Sequence, residues 1–230
     1  MIFADSVCYV KWYSLEDKLH KVLEGKMSKI VDKPEDYFRG LVPPREKLMV
    51  ELENQAEHEN IPIVGPVMGE LLYILAAATR AERILELGTA TGYSAIYLAR
   101  GCAQLAGSVV TLESSSDMAA RARENFQQAG VADRIEIHVA NALEVLPQLQ
   151  AGFDLIFLDI EKLDYVKVLA ECQRLIKKGG LLVADNVAFK DADEFNQTIA
   201  GHSAWRSISL FSFLPLHSPE QDALCLALRC

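Results

Sequence analysis

The sequence predicts an α/β protein with a doubly wound, mostly parallel sheet of seven strands and extra helices before it. Three observations carry this. From Arg83 onward, short apolar runs alternate with stretches of helical length, the pattern of parallel strands buried on both faces. The first run leads into a glycine turn, Gly88-Thr-Ala-Thr-Gly92, at the position where doubly wound sheets bind their ligands. Two later runs, Phe153-Asp-Leu-Ile-Phe-Leu-Asp159 and Gly180-Leu-Leu-Val-Ala-Asp185-Asn186, each end in side chains that carry oxygen donors.

Taken in order, Leu15, Leu19, Val22 and Leu23 recur at helical spacing, and 32–42 reads as a loop. Pro43-Pro44 followed by Arg45-Glu-Lys-Leu-Met-Val-Glu-Leu opens a helix, since proline is tolerated in a first turn. A further helix follows Pro66, with Leu71, Leu72 and Leu75 on one face. Strands are expected at 84–87, 109–112, 135–139, 155–158 and 181–184, and helices from Tyr93, through Arg121 and Phe126, and at 193–200. The last two strands, about 205–213 and 222–229, leave no room for a long helix between them and predict an antiparallel hairpin at one sheet edge. One domain is expected, with 1–80 as a helical cap segment and 81–230 as the core.

Half of the 230 residues are hydrophobic and 24% are charged, ordinary usage for a packed domain. A net charge of −9 argues against a nucleic-acid partner, whose binding relies on Lys and Arg neutralising phosphates. Cys8, Cys102, Cys172, Cys225 and Cys230 are odd in number and lack tight spacing, so neither a zinc cluster nor a disulfide framework is expected. No stretch reads as a signal peptide or a membrane span, and the expectation is a soluble cytoplasmic protein. The five histidines, His20, His58, His138, His202 and His217, pair with no evident nucleophile and are assigned to structure or surface.

The glycine turn departs from a dinucleotide fingerprint, because Ala90 and Tyr93 stand where its second and third glycines belong. Glu86, just before the turn, suits a cofactor with a cationic amino group and a sulfonium. Glu113, closing the second strand, suits two ribose hydroxyls. S-adenosylmethionine (SAM) fits both acids. Gly88 and Gly92 equally suit a plain strand-to-helix turn, and Glu113 a solvated strand end. Asn141, before Ala142, either borders an adenine ring or caps the following helix.

Asp159, Asp185 and Asn186 would meet in the crevice at the carboxyl ends of adjacent strands. All three offer oxygen, which selects a hard cation, Mg²⁺ first, with Ca²⁺ or Mn²⁺ as alternatives. Such an ion polarises a bound hydroxyl. Lys162, expected in the first turn of the next helix, would act as a general base or as a charge that favours a phenolate. Read singly, each residue also suits a structural role: a strand end, a turn, a surface lysine. Asp154 reads as a strand-entry residue and Asp164 as a helix-surface acid, neither catalytic.

Over roughly residues 35–230 the chain resembles the cation-dependent class I O-methyltransferases, the family of the caffeoyl-CoA and catechol O-methyltransferases and their bacterial relatives. The resemblance rests on Leu85-Glu-Leu-Gly-Thr-Ala-Thr-Gly-Tyr-Ser94, Phe153-Asp-Leu-Ile-Phe-Leu-Asp-Ile-Glu-Lys162 and Asp185-Asn186. It implies a Rossmann-like methyltransferase fold in which Val64, Glu86, Gly88, Thr89, Ser94, Glu113 and Ala142 contact SAM, with Glu161 on the cofactor side. It implies that Asp159, Asp185 and Asn186 hold the cation, that Lys162 is catalytic, and that the protein is a homodimer acting on a phenolic small molecule. Two departures lie where acceptor contacts are expected: Ala188-Phe-Lys-Asp191 replaces a Leu-Trp and glycine segment, and Ser218 to Gln221 stand as an insertion. Two other readings stay open, an NAD(P)-dependent oxidoreductase and a SAM-binding protein without turnover.

Overall fold

A computed structural model describes residues 30–230. The helix expected around Leu15 to Leu23, and Cys8 and His20, lie outside the described residues. The chain divides into two compact units, the first ending at Gly40 and the second spanning Leu41–Cys230. In the first, a short helix α1 (Pro34–Arg39) stands where a loop is expected. Pro34 fits its first turn, where no backbone N–H is needed.

The second unit contains α2 (Lys47–Glu59), α3 (Gly65–Ala78), β1 (Arg83–Leu87), α4 (Tyr93–Cys102), β2 (Ser108–Glu113), α5 (Ser116–Gln128), β3 (Ile135–Val139), α6 (Ala142–Val145), β4 (Phe153–Leu158), α7 (Tyr165–Leu175), β5 (Ile176–Ala184), α8 (Asp193–Gly201), β6 (Trp205–Phe213) and β7 (Gln221–Arg229). The seven strands form one sheet in the order β3-β2-β1-β4-β5-β7-β6. β1 to β5 are parallel, and β7 runs antiparallel to both β5 and β6. The expected edge hairpin is therefore present. β5 begins five residues before the expected start. Its opening, Ile176-Lys-Lys-Gly-Gly180, has turn-like composition, and the pairing with β4 shifts register between Phe153 and Leu155 to accept it.

Successive strand residues feed opposite faces. Ile84, Leu155 and Phe157 pack under α2, α3 and α4 with Met49, Met68, Leu72 and Ile96. Leu85, Ile156 and Leu158 pack under α7 and α8 with Tyr165, Val168, Leu169 and Phe195. Both faces are covered along the inner strands β1 and β4, which is why these read as largely apolar runs, whereas β3 at the sheet edge alternates and is partly exposed. Asp154 fits its structural assignment: Oδ2 accepts the backbone N–H of Glu82 and Arg83, both at 2.9 Å, and Oδ1 accepts Lys177 Nζ at 2.6 Å. Cys102, Cys172, Cys225 and Cys230 are free thiols. Among the described residues no helix is long and apolar enough to cross a membrane.

Candidate functional site

Strand register brings the site together. β1 pairs with β2 on one side and β4 on the other, so the chain changes direction at β1 and opens a crevice at the strand carboxyl ends. The ladders continue one residue past the strands: Gly88 N donates to Leu112 O at 3.0 Å, Asp159 N to Leu87 O at 2.9 Å, and Asp185 N to Leu158 O at 3.0 Å. Since Leu158 pairs with Ala184, the next residues, Asp159 and Asp185, emerge side by side. Tyr165 at the start of α7 closes this rim, its hydroxyl lying 3.0 Å from Asp185 O and 3.2 Å from Leu158 O.

The crevice is a cavity of about 410 Å³. Val64, Gly88, Thr89, Ser94, Glu113 and Ala142 line one stretch of it; Asp159, Glu161, Lys162, Asp185 and Asn186 line another. Thus, of the residues named from the sequence, only Glu86 is absent from the wall.

At the glycine turn, a Cβ on Gly88 would fall 1.9 Å from Asp159 O, and its φ is +96°. No other residue type fits there, because the turn crosses the end of β4 at backbone contact. Glu113 accepts Ala90 N at 2.8 Å and Thr89 N at 3.3 Å on Oε2, and Ser115 N at 2.8 Å on Oε1. It therefore anchors the turn as well as ending β2. Glu86 is fully buried, its Oε2 accepting Thr111 Oγ1 at 2.5 Å. Burial pushes its carboxyl up to about 8, with Thr111 and Ser94 pulling the other way. Its Oε1 nonetheless meets no donor within hydrogen-bond geometry, a buried acceptor next to the loop that cationic or N–H groups would satisfy. Asn141 is the N-cap of α6, its Oδ1 accepting Leu143 N at 2.9 Å.

At the other end, Lys162 lies in a 3₁₀ turn, Lys162–Asp164, just before α7 rather than in the helix itself. Its Nζ donates to Asp159 Oδ1 at 2.9 Å and to Ile160 O at 3.1 Å. Asp164 pairs with Lys167 at 2.6 Å. Asn186 takes a left-handed backbone conformation, φ 51°, which asparagine tolerates. Its Nδ2 donates to Asp222 Oδ2 at 2.6 Å and lies 3.4 Å from Ser218 O. That commits the amide nitrogen and leaves Oδ1 as the atom available to a ligand.

His217 requires a correction. It is a wall residue of the cavity, not a bystander. It is buried, with Nε2 at 2.9 and 3.1 Å from the two oxygens of Asp185 and Nδ1 at 2.7 Å from Pro219 O. Burial works to lower its pKa, but the hydrogen bond and charge of Asp185 outweigh that and hold it above the ordinary histidine value. Asp222, fully buried, was also not singled out; its Oδ1 accepts Ala223 N at 2.6 Å and Ala188 N at 3.3 Å. An acid directly before the apolar run Ala223-Leu-Cys-Leu is the signal that marks it. The insertion carrying Ser218 thus folds into the site. Of the other described histidines, His138 pairs with Glu136 at 2.9 Å, and His202 Nδ1 accepts Ala204 N at 3.1 Å.

The donor set fits a hard cation. Burial and the neighbouring charge of Asp185 push the Asp159 carboxyl up, against Lys162, so the paired carboxylates favour added positive charge. Among the described residues no three His, Cys, Asp or Glu side chains converge on one point. The amide of Asn186 therefore matters, and of the two Asp159 oxygens Lys162 engages Oδ1 alone.

A family model described as O-methyltransferase matches residues 43–199. The chain is 46% identical over 125 residues to a catechol O-methyltransferase of Mycobacterium tuberculosis, covering 54% of this chain and 56% of that one. It is 35% identical over 166 residues to a catechol O-methyltransferase of Niastella koreensis, covering 70% and 75%. It thus spans little more than half the length of the first of these relatives. Among solved structures it is similar to the O-methyltransferase TomG from Streptomyces achromogenes in complex with SAM, with TM-score 0.77 and 30% identity over 85% of this chain and 95% of that one.

Proposed function

Because the chain belongs to the O-methyltransferase family, we propose that it transfers a methyl group from SAM to one hydroxyl of a catechol-like acceptor with the help of a divalent cation, Mg²⁺ first among candidates. The observation that carries this reading is the crevice itself. One wall holds the glycine turn and Glu113, the other holds Asp159, Asp185, Asn186 and Lys162, and both line a single cavity.

SAM supplies a methyl group on a sulfonium, and the cation supplies a Lewis acid that lowers the pKa of a phenol from its ordinary value of about 10. The protein's part is to hold and orient. Glu113 ends β2 at the place where an acid accepts from ribose hydroxyls. Val64, Thr89, Ser94 and Ala142 complete the cofactor wall, with Glu161 at its far side. Asp159, Asp185 and the Oδ1 of Asn186 are the proposed cation ligands, and Asp222 keeps the amide turned the right way. Lys162, already among these oxygens, is the proposed catalytic residue: it takes the hydroxyl proton or, as an ammonium, stabilises the phenolate. Alignment of acceptor oxygen and methyl carbon in such a crevice can contribute roughly 7–11 kcal/mol over free encounter.

The partners of this reading are a small phenolic acceptor and a second copy of the chain. Exposed Ile208 and Leu210, on one face of edge strand β6, support a surface that is covered in solution. Calorimetry tests the cofactor. The proposal expects S-adenosylhomocysteine to bind and NADH not to bind, and the reverse result selects the oxidoreductase reading.

A further inference from the structure

We propose that Tyr93, held through Glu53 and Arg45, is a positioning residue for the methyl donor, so that helix α2 sets the shape of the cofactor turn. The inference rests on the SAM reading above and deepens it.

Tyr93 is the first residue of α4, between the Gly92 N-cap and Ser94, and it is a wall residue of the cavity although only 2% exposed. Its hydroxyl is committed to α2. Oη donates to Glu53 Oε1 at 2.6 Å, the short distance of a charge-assisted bond. Glu53 is fixed in turn. Arg45 grips both of its oxygens, with Nε at 3.1 and 3.2 Å and Nη2 at 2.8 Å, while Nη1 of the same guanidinium donates to Pro43 O at 3.2 Å. A planar fork on a carboxylate leaves it little freedom to rotate.

The ring is seated as firmly as the hydroxyl. Tyr97, one turn on, packs against it with ring centroids 5.4 Å apart, and α3 makes room for Tyr97, since a Cβ on Gly69 would lie 2.5 Å from that ring. Burial first, and then the hydrogen bond to Glu53, push the Tyr93 phenol above its ordinary value. The group therefore stays a donor and is no base.

Other holds on the turn come from β2 and α5. Glu113 accepts Thr89 N and Ala90 N, Thr111 Oγ1 lies 2.6 Å from Thr89 Oγ1, and Asn125 Nδ2 donates to Thr91 O at 2.8 Å. These fix the turn as far as Thr91. The Tyr93 link fixes the next step, where the backbone leaves left-handed Gly92, φ +87°, and enters α4. Ser94, which the SAM reading places against the cofactor, follows directly. Without the link the start of α4 can shift against a bound donor, while Asp159 and Asp185 remain tied to β4 and β5. The link thus bears on the donor and not on the acceptor.

The test is S-adenosylhomocysteine affinity of the full chain by calorimetry, with KM measured for SAM and for the acceptor. We expect Tyr93→Phe and Glu53→Ala each to weaken S-adenosylhomocysteine about tenfold, the low end for a hydrogen bond to a charged group. KM for SAM should rise alike, and KM for the acceptor should stay unchanged. Glu53→Gln, which can still accept the hydroxyl, should recover part of the loss, and the double variant Tyr93→Phe/Glu53→Ala should be no worse than either single one. In the unmodified chain, S-adenosylhomocysteine should slow amide exchange in α2 around Glu53, a readout that does not depend on a variant folding. Unchanged S-adenosylhomocysteine affinity in folded Tyr93→Phe and Glu53→Ala, or unchanged exchange in α2, would overturn the positioning role and leave the SAM reading standing. An unmodified chain that binds no S-adenosylhomocysteine would overturn both.

Discussion

Glu86 shows how a single side chain ties stability to the cofactor site. Its folded pKa, about 8, stands above the ordinary 4.5, so the folded protein holds this proton more tightly than the unfolded chain does. The associated stability is complete below pH 4.5, falls as pH rises and is gone above pH 8, a loss on the order of 4–5 kcal/mol at full ionisation. Glu86→Gln should therefore melt higher than the unmodified, cofactor-free protein at pH 8–9 and lose that advantage near pH 4.5. Parallel melting curves across this range would show that Glu86 does not ionise there. Lys162 separates two chemistries. Lys162→Ala should cut turnover on the order of a hundredfold or more with little change in S-adenosylhomocysteine affinity. Lys162→Arg should retain much of the rate if charge alone is needed and lose it if a proton must be taken; an unchanged rate in the alanine variant removes the residue from the mechanism. These residues were legible because carboxylates and a lysine directly after apolar runs interrupt the pattern. His217 was not, since it follows β6 with nothing near it in sequence to pair with; only the pairing of β7 against β5 returns its loop to Asp185.

The elements that build the site were legible wherever burial dictates composition. The inner strands β1 and β4 are largely apolar because both faces are covered, edge strand β3 alternates because it is partly exposed, and the final hairpin follows from the short gap between its strands. The misses are positions where composition and conformation disagree. Lys177-Lys-Gly-Gly180 is strand although the strand is expected only from 181, 34–39 is helix despite reading as a loop, and Lys162 sits in a 3₁₀ turn instead of an α-helix. The glycine turn depends on its contact with β4. Gly88→Ala places a methyl group inside the van der Waals radius of Asp159 O, so the turn must leave the strand end. The expected cost is roughly 3 kcal/mol or more, with loss of S-adenosylhomocysteine binding. Denaturant unfolding with calorimetry checks both, and a stable variant with unchanged affinity would contradict the packing described.

At the scale of the whole molecule, topology does the joining. A sheet that reverses order at β1 places the glycine turn next to Asp159, and the antiparallel return of β7 places Asp222 under Asn186. Donor side and cation side belong to one cavity because their strands are neighbours, although Glu86 precedes Asp185 by nearly a hundred residues. The acidic balance of the chain suits a cation and a small acceptor better than a polyanion. Light scattering should find two copies of the chain in solution; a monomer would remove the dimer from the proposal. The central claim is tested most directly by incubating the protein with a catechol and methyl-labelled SAM, with Mg²⁺ and then with excess chelator. The account predicts a labelled mono-methyl ether, its loss in chelator and its return when Mg²⁺ is restored. Full activity in excess chelator, or no label transferred to any vicinal dihydroxy aromatic, would contradict it.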